Sequence, residues 1–230
     1  MPPNFLFLIA DDHRHDAIGS LGTPAVATPN LDALAAAGTA FTGAHNMGST
    51  SAAVCMPSRA MLLTGQSLFC VFGSNAAGVF PYPMDPELQT FPELLRAAGY
   101  RTYGVGKWHN EPDLYARSFD AGGSIFFGGM SDHHAVPLHT FSPEGQYPPE
   151  AAALGLGFSS ELFVNDATDL LRQHPVDRPF CMYVAFTAPH DPRTPPSAFA
   201  DMYAEAEVEL PPNFCPTHAF DNGELGGRDE

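Results

Sequence analysis

The stretch "NFLFLIADDHRHD", residues 4–16, decides the fold class. From Phe5 to Ala10 it is a continuous apolar run, and it stops abruptly at two adjacent carboxylates, Asp11 and Asp12. A strand wetted on one face alternates apolar and polar residues. A run without alternation belongs to a strand buried on both faces, the pattern of parallel sheets. The pattern returns in "RTYGVG" (101–106) and "PFCMYVAF" (179–186). Helical segments lie between these strands. In "ATPNLDALAAAG" (27–38), Thr28 is placed to cap, Pro29 suits the first helical position and Gly38 ends the helix. A second helix runs from about Pro57 to Thr64 and stops at Gly65, while "TFPELLRAAGY" (90–100) carries a capping box, Thr90 with Glu93, and a stop at Gly99. "ELFVNDATDLLRQH" (161–174) is helical, "TAFTGAHN" (39–46) alternates like a short strand, and about 121–155 reads as irregular, rich in glycine, histidine and proline. The expected architecture is α/β: a mostly parallel sheet with helices on both faces.

At 230 residues the chain is long enough for one large α/β domain with a proper core. Apolar residues at 44% against charged residues at 16% exclude a disordered chain. The formal charge of −16 argues against nucleic-acid partners, which need clustered Lys and Arg, and otherwise reads as solubility. No run approaches the roughly 20 apolar residues of a membrane span. Phe5–Ala10 is too short for a signal-peptide core and has no basic segment before it, so the chain as written reads as cytoplasmic, or as periplasmic or secreted if a leader was removed. Cys55, Cys70, Cys181 and Cys215 show no CxxC spacing, which argues against a disulfide framework or structural zinc; Cys181 reads as a buried strand residue.

In parallel sheets functional groups collect beyond the carboxyl ends of the strands. Those positions read "DDHRHD" (11–16), "GKWHN" (106–110) and "TAPHDP" (187–192), three clusters expected on one rim. Asp11 and Asp12 repel unless a cation or strong donors sit between them; they suit calcium or magnesium, or else cap a solvated loop, with His13 and His15 as bystanders. Lys107 is the only lysine among ten basic residues, and a compact ammonium fits a tetrahedral anion. His109 and His190 on the same rim are candidates for acid–base work. In "AVCMPSRAMLLTG" (53–65), Cys55 could be an apolar filler, a thiolate, a metal ligand or a site of modification. Its place at a helix start, with Arg59 one turn in, is expected to lower its pKa and build an anion-handling site.

"CMPSRAMLLTG" resembles the signature of the type I, formylglycine-dependent sulfatases of the alkaline-phosphatase-like superfamily, with Cys55, Pro57, Ser58, Arg59, Leu63, Thr64 and Gly65 in register. The Asp11–Asp12 pair, "TPNLDALAAAGTAFT", "GKWH" and "APHDP" follow that family's order, so the resemblance runs from residue 4 to about 222. It implies that a formylglycine-generating enzyme converts Cys55 to formylglycine, whose hydrated aldehyde is the nucleophile. It implies further that Asp11, Asp12 and the modified Cys55 hold Ca2+, with Mg2+ the lesser alternative. Arg59 would hold the hydrate, Lys107 and His109 would contact sulfate and hydrate, and His190 would bind sulfate and protonate the leaving alcohol. Asp191 receives no role. The substrate would be a small-molecule or carbohydrate sulfate ester.

Members of that family are roughly twice this length, and their later segment carries a "DH" or "DN" pair that completes the metal site, then a second lysine. Asp221 and Asn222 follow a proline-rich loop and are not expected to be that pair. The expectation is therefore that residues 1–230 form an N-terminal catalytic region incomplete at its C-terminal end. A non-catalytic remnant, or a phosphonate or phosphodiester hydrolase using the same nucleophile, are the alternatives. His133, His134 and His139 are expected to line the substrate entrance.

Overall fold

In the computed structural model, which describes residues 2–22, 26–49, 54–72, 83–203, 210, 214–217 and 219–220, the three apolar runs lie side by side. The strands are β1 (Phe5–Ile9), β2 (Arg101–Lys107), β3 (Ala121–Phe126), β4 (Pro137–Leu138), β5 (Ala153–Leu154) and β6 (Phe180–Ala185). The helices are α1 (Pro29–Ala37), α2 (Cys55–Thr64), α3 (Leu68–Phe72), α4 (Phe91–Ala97), α5 (Pro112–Ser118), α6 (Ser159–Arg172) and α7 (Ser197–Ala200). Four strands form one sheet in the order β1-β6-β2-β3 with every pairing parallel, and β4 and β5 form a small antiparallel pair.

Side chains alternate across β6 and split the core in two. Tyr183 and Ala185 join Met56, Ala60 and Leu63 of α2, the buried side of α3, and Trp108, Leu114, Tyr115 and Phe119. Met182 and Val184 face the opposite way and meet Tyr103, Val105, and Phe163 and Ala167 of α6. Helices therefore cover both faces, as the uninterrupted apolar runs required. Local signals hold as well: Thr90 N–H donates to Glu93 Oε2 at 2.8 Å at the head of α4, and α2 ends on Gly65 at φ 66°, its N–H bonded to the Met61 carbonyl.

Three expectations are corrected. β1 is not buried on both faces: Leu6 and Leu8 are 51% and 55% exposed, because β1 is an edge of the described sheet and α6 covers only β2, β3 and β6. Residues 39–46 form no strand, since no neighbouring strand pairs with them, and Phe41 projects into solvent. The glycine-rich start of the supposedly irregular stretch forms the edge strand β3. Its glycines let β3 approach α5 so closely that a β-carbon on Gly122 would run into the Tyr115 hydroxyl and the Gly104 carbonyl oxygen. Asp221 and Asn222 lie outside the described residues. Among the described residues no helix is long and apolar enough to cross a membrane.

Because β1, β2 and β6 are parallel, their carboxyl ends fall on one rim, and the last residue of β2 is Lys107. The β2–β3 register shifts between Val105 and Lys107, at Gly106, whose φ is +88°. A β-carbon there would strike the Ala185 carbonyl oxygen of β6. Gly106→Ala should therefore cost about 3 kcal/mol or more, the sum of a left-handed alanine and a displaced strand, and denaturant unfolding measures it. A loss within experimental error would show that this bulge does not fix the rim.

Candidate active site

Asp11 follows β1 and is 6% exposed. Its carboxylate accepts from two cations: Arg59 Nη2 of α2 at 3.2 Å and the Lys107 ammonium at the end of β2. Arg59 Nη1 also donates to the Lys107 carbonyl at 2.7 Å, and Lys107 donates to the Gly129 carbonyl. The Asp11 N–H bonds to the Ala188 carbonyl beyond β6 at 3.1 Å. Burial pushes the Lys107 ammonium down from its ordinary range, and the Asp11 carboxylate opposes that.

Cys55 is the first residue of α2, as its distance from Pro57 suggested, and His190 Nε2 lies 3.9 Å from its sulfur. The expected acidity of this thiol is corrected: burial pushes its pKa up, and the Asp11 charge adds to that, outweighing Lys107 and Arg59. The helix start does not make a thiolate, because burial penalises the charged sulfur more than the nearby cations favour it. His190 is 5% exposed and sits between two cis peptide bonds, Ala188–Pro189 and Asp191–Pro192. Its Nδ1 donates to the Asp191 carbonyl at 3.2 Å, which leaves the Nε2 lone pair facing Cys55.

His109 takes φ 54°, and its Nδ1 is buried without a hydrogen-bond partner. Burial, reinforced by the Lys107 and Arg59 charges, lowers its pKa to about 4, so the ring is neutral near pH 7. Ser58 Oγ, Asn110 Oδ1 and Tyr183 Oη are also buried without partners. Among the described residues the unsatisfied buried side-chain atoms thus belong to α2, to the residues just after β2 and to β6, the segments that build this rim.

Asp12 is held by a partner outside the Asp11 cluster. At φ 58° its side chain is about half exposed and pairs with Arg193 Nη2 at 3.1 Å, while Arg193 Nε lies 3.4 Å from Asp191. The group within mutual reach is instead Asp11, Cys55 and His190, whose ligating atoms lie within 4.8 Å of one another. One carboxylate, one imidazole and one thiol suit a borderline ion. Asp11 keeps lone pairs beyond the two it spends on Arg59 and Lys107. A cavity of about 460 Å³ opens over the group, edged by His13, Asn46, Ser58 and Leu62.

A further correction concerns His133, which is 2% exposed and lies beneath His190, so it does not face a substrate entrance. His139 is bridged to Ile125 of β3 and lines a separate cavity of about 440 Å³. His134 is exposed and approaches the Thr194 carbonyl. Sequence reasoning missed Arg193, although a basic residue three positions after His190 in so acidic a chain was a usable signal. It missed Thr187 and Ser159 as well, and nothing local marks those two.

Comparison with known proteins agrees with this geometry. The family model described as Sulfatase matches residues 3–213. The chain is 31% identical over 191 residues to N-acetylglucosamine-6-O-sulfatase of Bacteroides thetaiotaomicron, covering 82% of this chain and 31% of the relative. It is 31% identical over 229 residues to the ulvan-active sulfatase of Formosa agariphila, covering 93% of this chain and 41% of the relative. The solved structure of BT4656 in complex with its substrate D-glucosamine-2-N,6-O-disulfate superposes with a TM-score of 0.74 at 27% identity, over 92% of this chain and 39% of that one. The chain thus spans 31–41% of the length of these relatives.

The lowered pKa of His109 has a consequence for stability. A base whose folded pKa is depressed refuses a proton that the unfolded chain accepts, so stability falls as pH drops from 6.5 to about 4 and is regained as pH rises. The full window is worth about 3 kcal/mol. Urea titrations at neutral and mildly acidic pH should show this slope, and His109→Gln should flatten it. An unchanged slope in the variant would assign the effect elsewhere.

Proposed function

The chain belongs to the sulfatase family, and from that premise we propose that it is a sulfuric ester hydrolase that cleaves sulfated carbohydrates. Its nucleophile would be formylglycine made from Cys55 by a formylglycine-generating enzyme. The observation that carries this reading is the convergence of Cys55, His190 Nε2 and the Asp11–Arg59–Lys107 cluster under one cavity. Sulfated sugars are favoured because relatives named for N-acetylglucosamine-6-sulfate and ulvan, and a structural neighbour bound to a glucosamine disulfate, share this chain's architecture.

Formylglycine hydrate supplies a hydroxyl to attack sulfur and, through the second hydroxyl, an exit by elimination that a serine or cysteine ester lacks. Asp11, Asp12 and the modified Cys55 would hold Ca2+, which supplies a fixed positive charge for the sulfate oxygens. The remaining work falls to residues of the chain. Arg59 and Lys107 carry two positive charges against the single charge of Asp11, an excess suited to an anionic ester. His190 Nε2, bare toward Cys55, is placed to take the proton of the attacking hydroxyl and pass it to the departing alcohol. His109, neutral, contributes hydrogen bonds without adding charge.

In protein from the native host, the peptide containing Cys55 should be lighter by about 18 Da, the change from a CH2SH group to an aldehyde. Cys55→Ala should lower kcat/KM on nitrophenyl sulfate by about 1,000-fold or more. Chelation should abolish activity, with calcium restoring it better than magnesium. An unmodified Cys55 ends the covalent mechanism, and faster turnover of a nitrophenyl phosphonate would reassign the chain to phosphonate hydrolysis.

A further inference from the structure

Four buried groups form a chain of hydrogen bonds that ends on the main chain of His190. Ser159 Oγ lies 2.8 Å from Thr187 Oγ1, Thr187 Oγ1 lies 2.9 Å from His133 Nδ1, and His133 Nε2 lies 2.7 Å from the His190 carbonyl oxygen. Their exposures are 0% for Ser159, 3% for Thr187, 2% for His133 and 5% for His190. The direction of the chain follows from its one fixed end. A carbonyl oxygen only accepts, so His133 Nε2 carries the hydrogen. In the neutral ring Nδ1 is then an acceptor, so the Thr187 hydroxyl donates to it, and Thr187 in turn accepts from Ser159. The Ser159 N–H closes the circuit on the His133 carbonyl at 2.8 Å.

Thr187 acts twice, because its own carbonyl accepts the His190 N–H at 3.2 Å. The peptide groups on both sides of His190 are therefore held, one by Thr187 and one by His133. The held carbonyl side leads directly into Asp191, whose own carbonyl takes the His190 Nδ1 hydrogen and so leaves Nε2 bare toward Cys55.

We propose that His133 is a positioning residue. Through the Ser159–Thr187–His133 chain it fixes the main chain of His190, and thereby the tautomer and aim of the His190 ring. The consequence for catalysis rests on the hydrolase reading above, whereas the claim about tautomer does not. A ring so fixed presents one nitrogen to the reacting ester at each turnover, and a loose one divides its time between orientations that transfer no proton.

The test uses the full chain labelled with 15N-histidine. Long-range proton–nitrogen spectra should show His133 as the Nε2–H tautomer and His190 as the Nδ1–H tautomer. Thr187→Val, nearly isosteric, and His133→Asn, too short to reach the His190 carbonyl, should each turn His190 into a tautomer mixture. His133→Gln, whose amide still donates to that carbonyl, should restore the single form. In kinetics both disruptive variants should lose kcat with KM little changed. The loss should be about ten-fold greater on a sugar sulfate, whose alcohol needs a proton, than on nitrophenyl sulfate, whose alcohol does not. An unchanged His190 tautomer in folded Thr187→Val and His133→Asn, or an equal loss on both esters, overturns the proposal. A wild-type chain inactive on every sulfate ester overturns the hydrolase reading instead, and the spectra still decide the role of His133.

Discussion

The rim is built around one carboxylate. Asp11 sits where β1 ends, Arg59 arrives from α2, Lys107 terminates β2, and the residues after β6 accept the Asp11 N–H. Three charges so far from water cost several kcal/mol each to desolvate, and their mutual attraction offsets that only because both cations also have a neutral hydrogen-bond partner. Arg59 and Lys107 each reach a main-chain carbonyl, so the arrangement is satisfied and not merely neutralised. Buried charge of this kind is a weak source of stability. Its effect is geometric: it locks the start of α2 against the ends of two strands, and Cys55 lies at that start.

The same cluster sets the electrostatics of everything beside it. Burial outweighs the Lys107 and Arg59 charges at Cys55, with Asp11 adding to it, so the thiol pKa rises. Two cations against one anion still depress the His109 imidazole. The rim therefore carries two cations against one carboxylate, while burial disfavours the thiolate form of its own sulfur. That combination is poorly suited to thiolate chemistry and well suited to a cysteine whose sulfur is exchanged for oxygen before use.

The layered α/β plan was legible because periodicity reports burial directly, and the three unbroken apolar runs became neighbouring parallel strands. The rim was legible for the same reason, since parallel strands put Asp11, Lys107 and the residues around His190 at one edge whatever else the chain does. What failed depended on partners remote in sequence. Ala121–Phe126 has the composition of a loop and is a strand only because Tyr115 and the Gly104 backbone require glycine opposite them. His133 has the composition of a surface stretch and is buried because Thr187 and the His190 carbonyl use both of its nitrogens. The direction of the Cys55 shift is set first by burial under chain remote in sequence, which no local reading of the helix start could weigh.

Under the proposed function the segment Cys55–Arg59 would meet two incompatible requirements. In the fold Pro57 is buried, Arg59 is 4% exposed, and all five residues are wound into the first turns of α2. An enzyme that identifies Cys55 by Pro57 and Arg59 needs those side chains free and the backbone extended. Freeing Arg59 after folding would strand Asp11 beside Lys107 without its second cation and unwind the helix that the core cluster of Met56, Ala60 and Leu63 holds down. Breaking a buried charge arrangement costs about 3–5 kcal/mol before the helix is counted. That is a large share of the stability of a single domain. Under that reading, oxidation of Cys55 would belong before α2 docks, since the same ion pairs that hold Arg59 would withdraw it from a modifying enzyme.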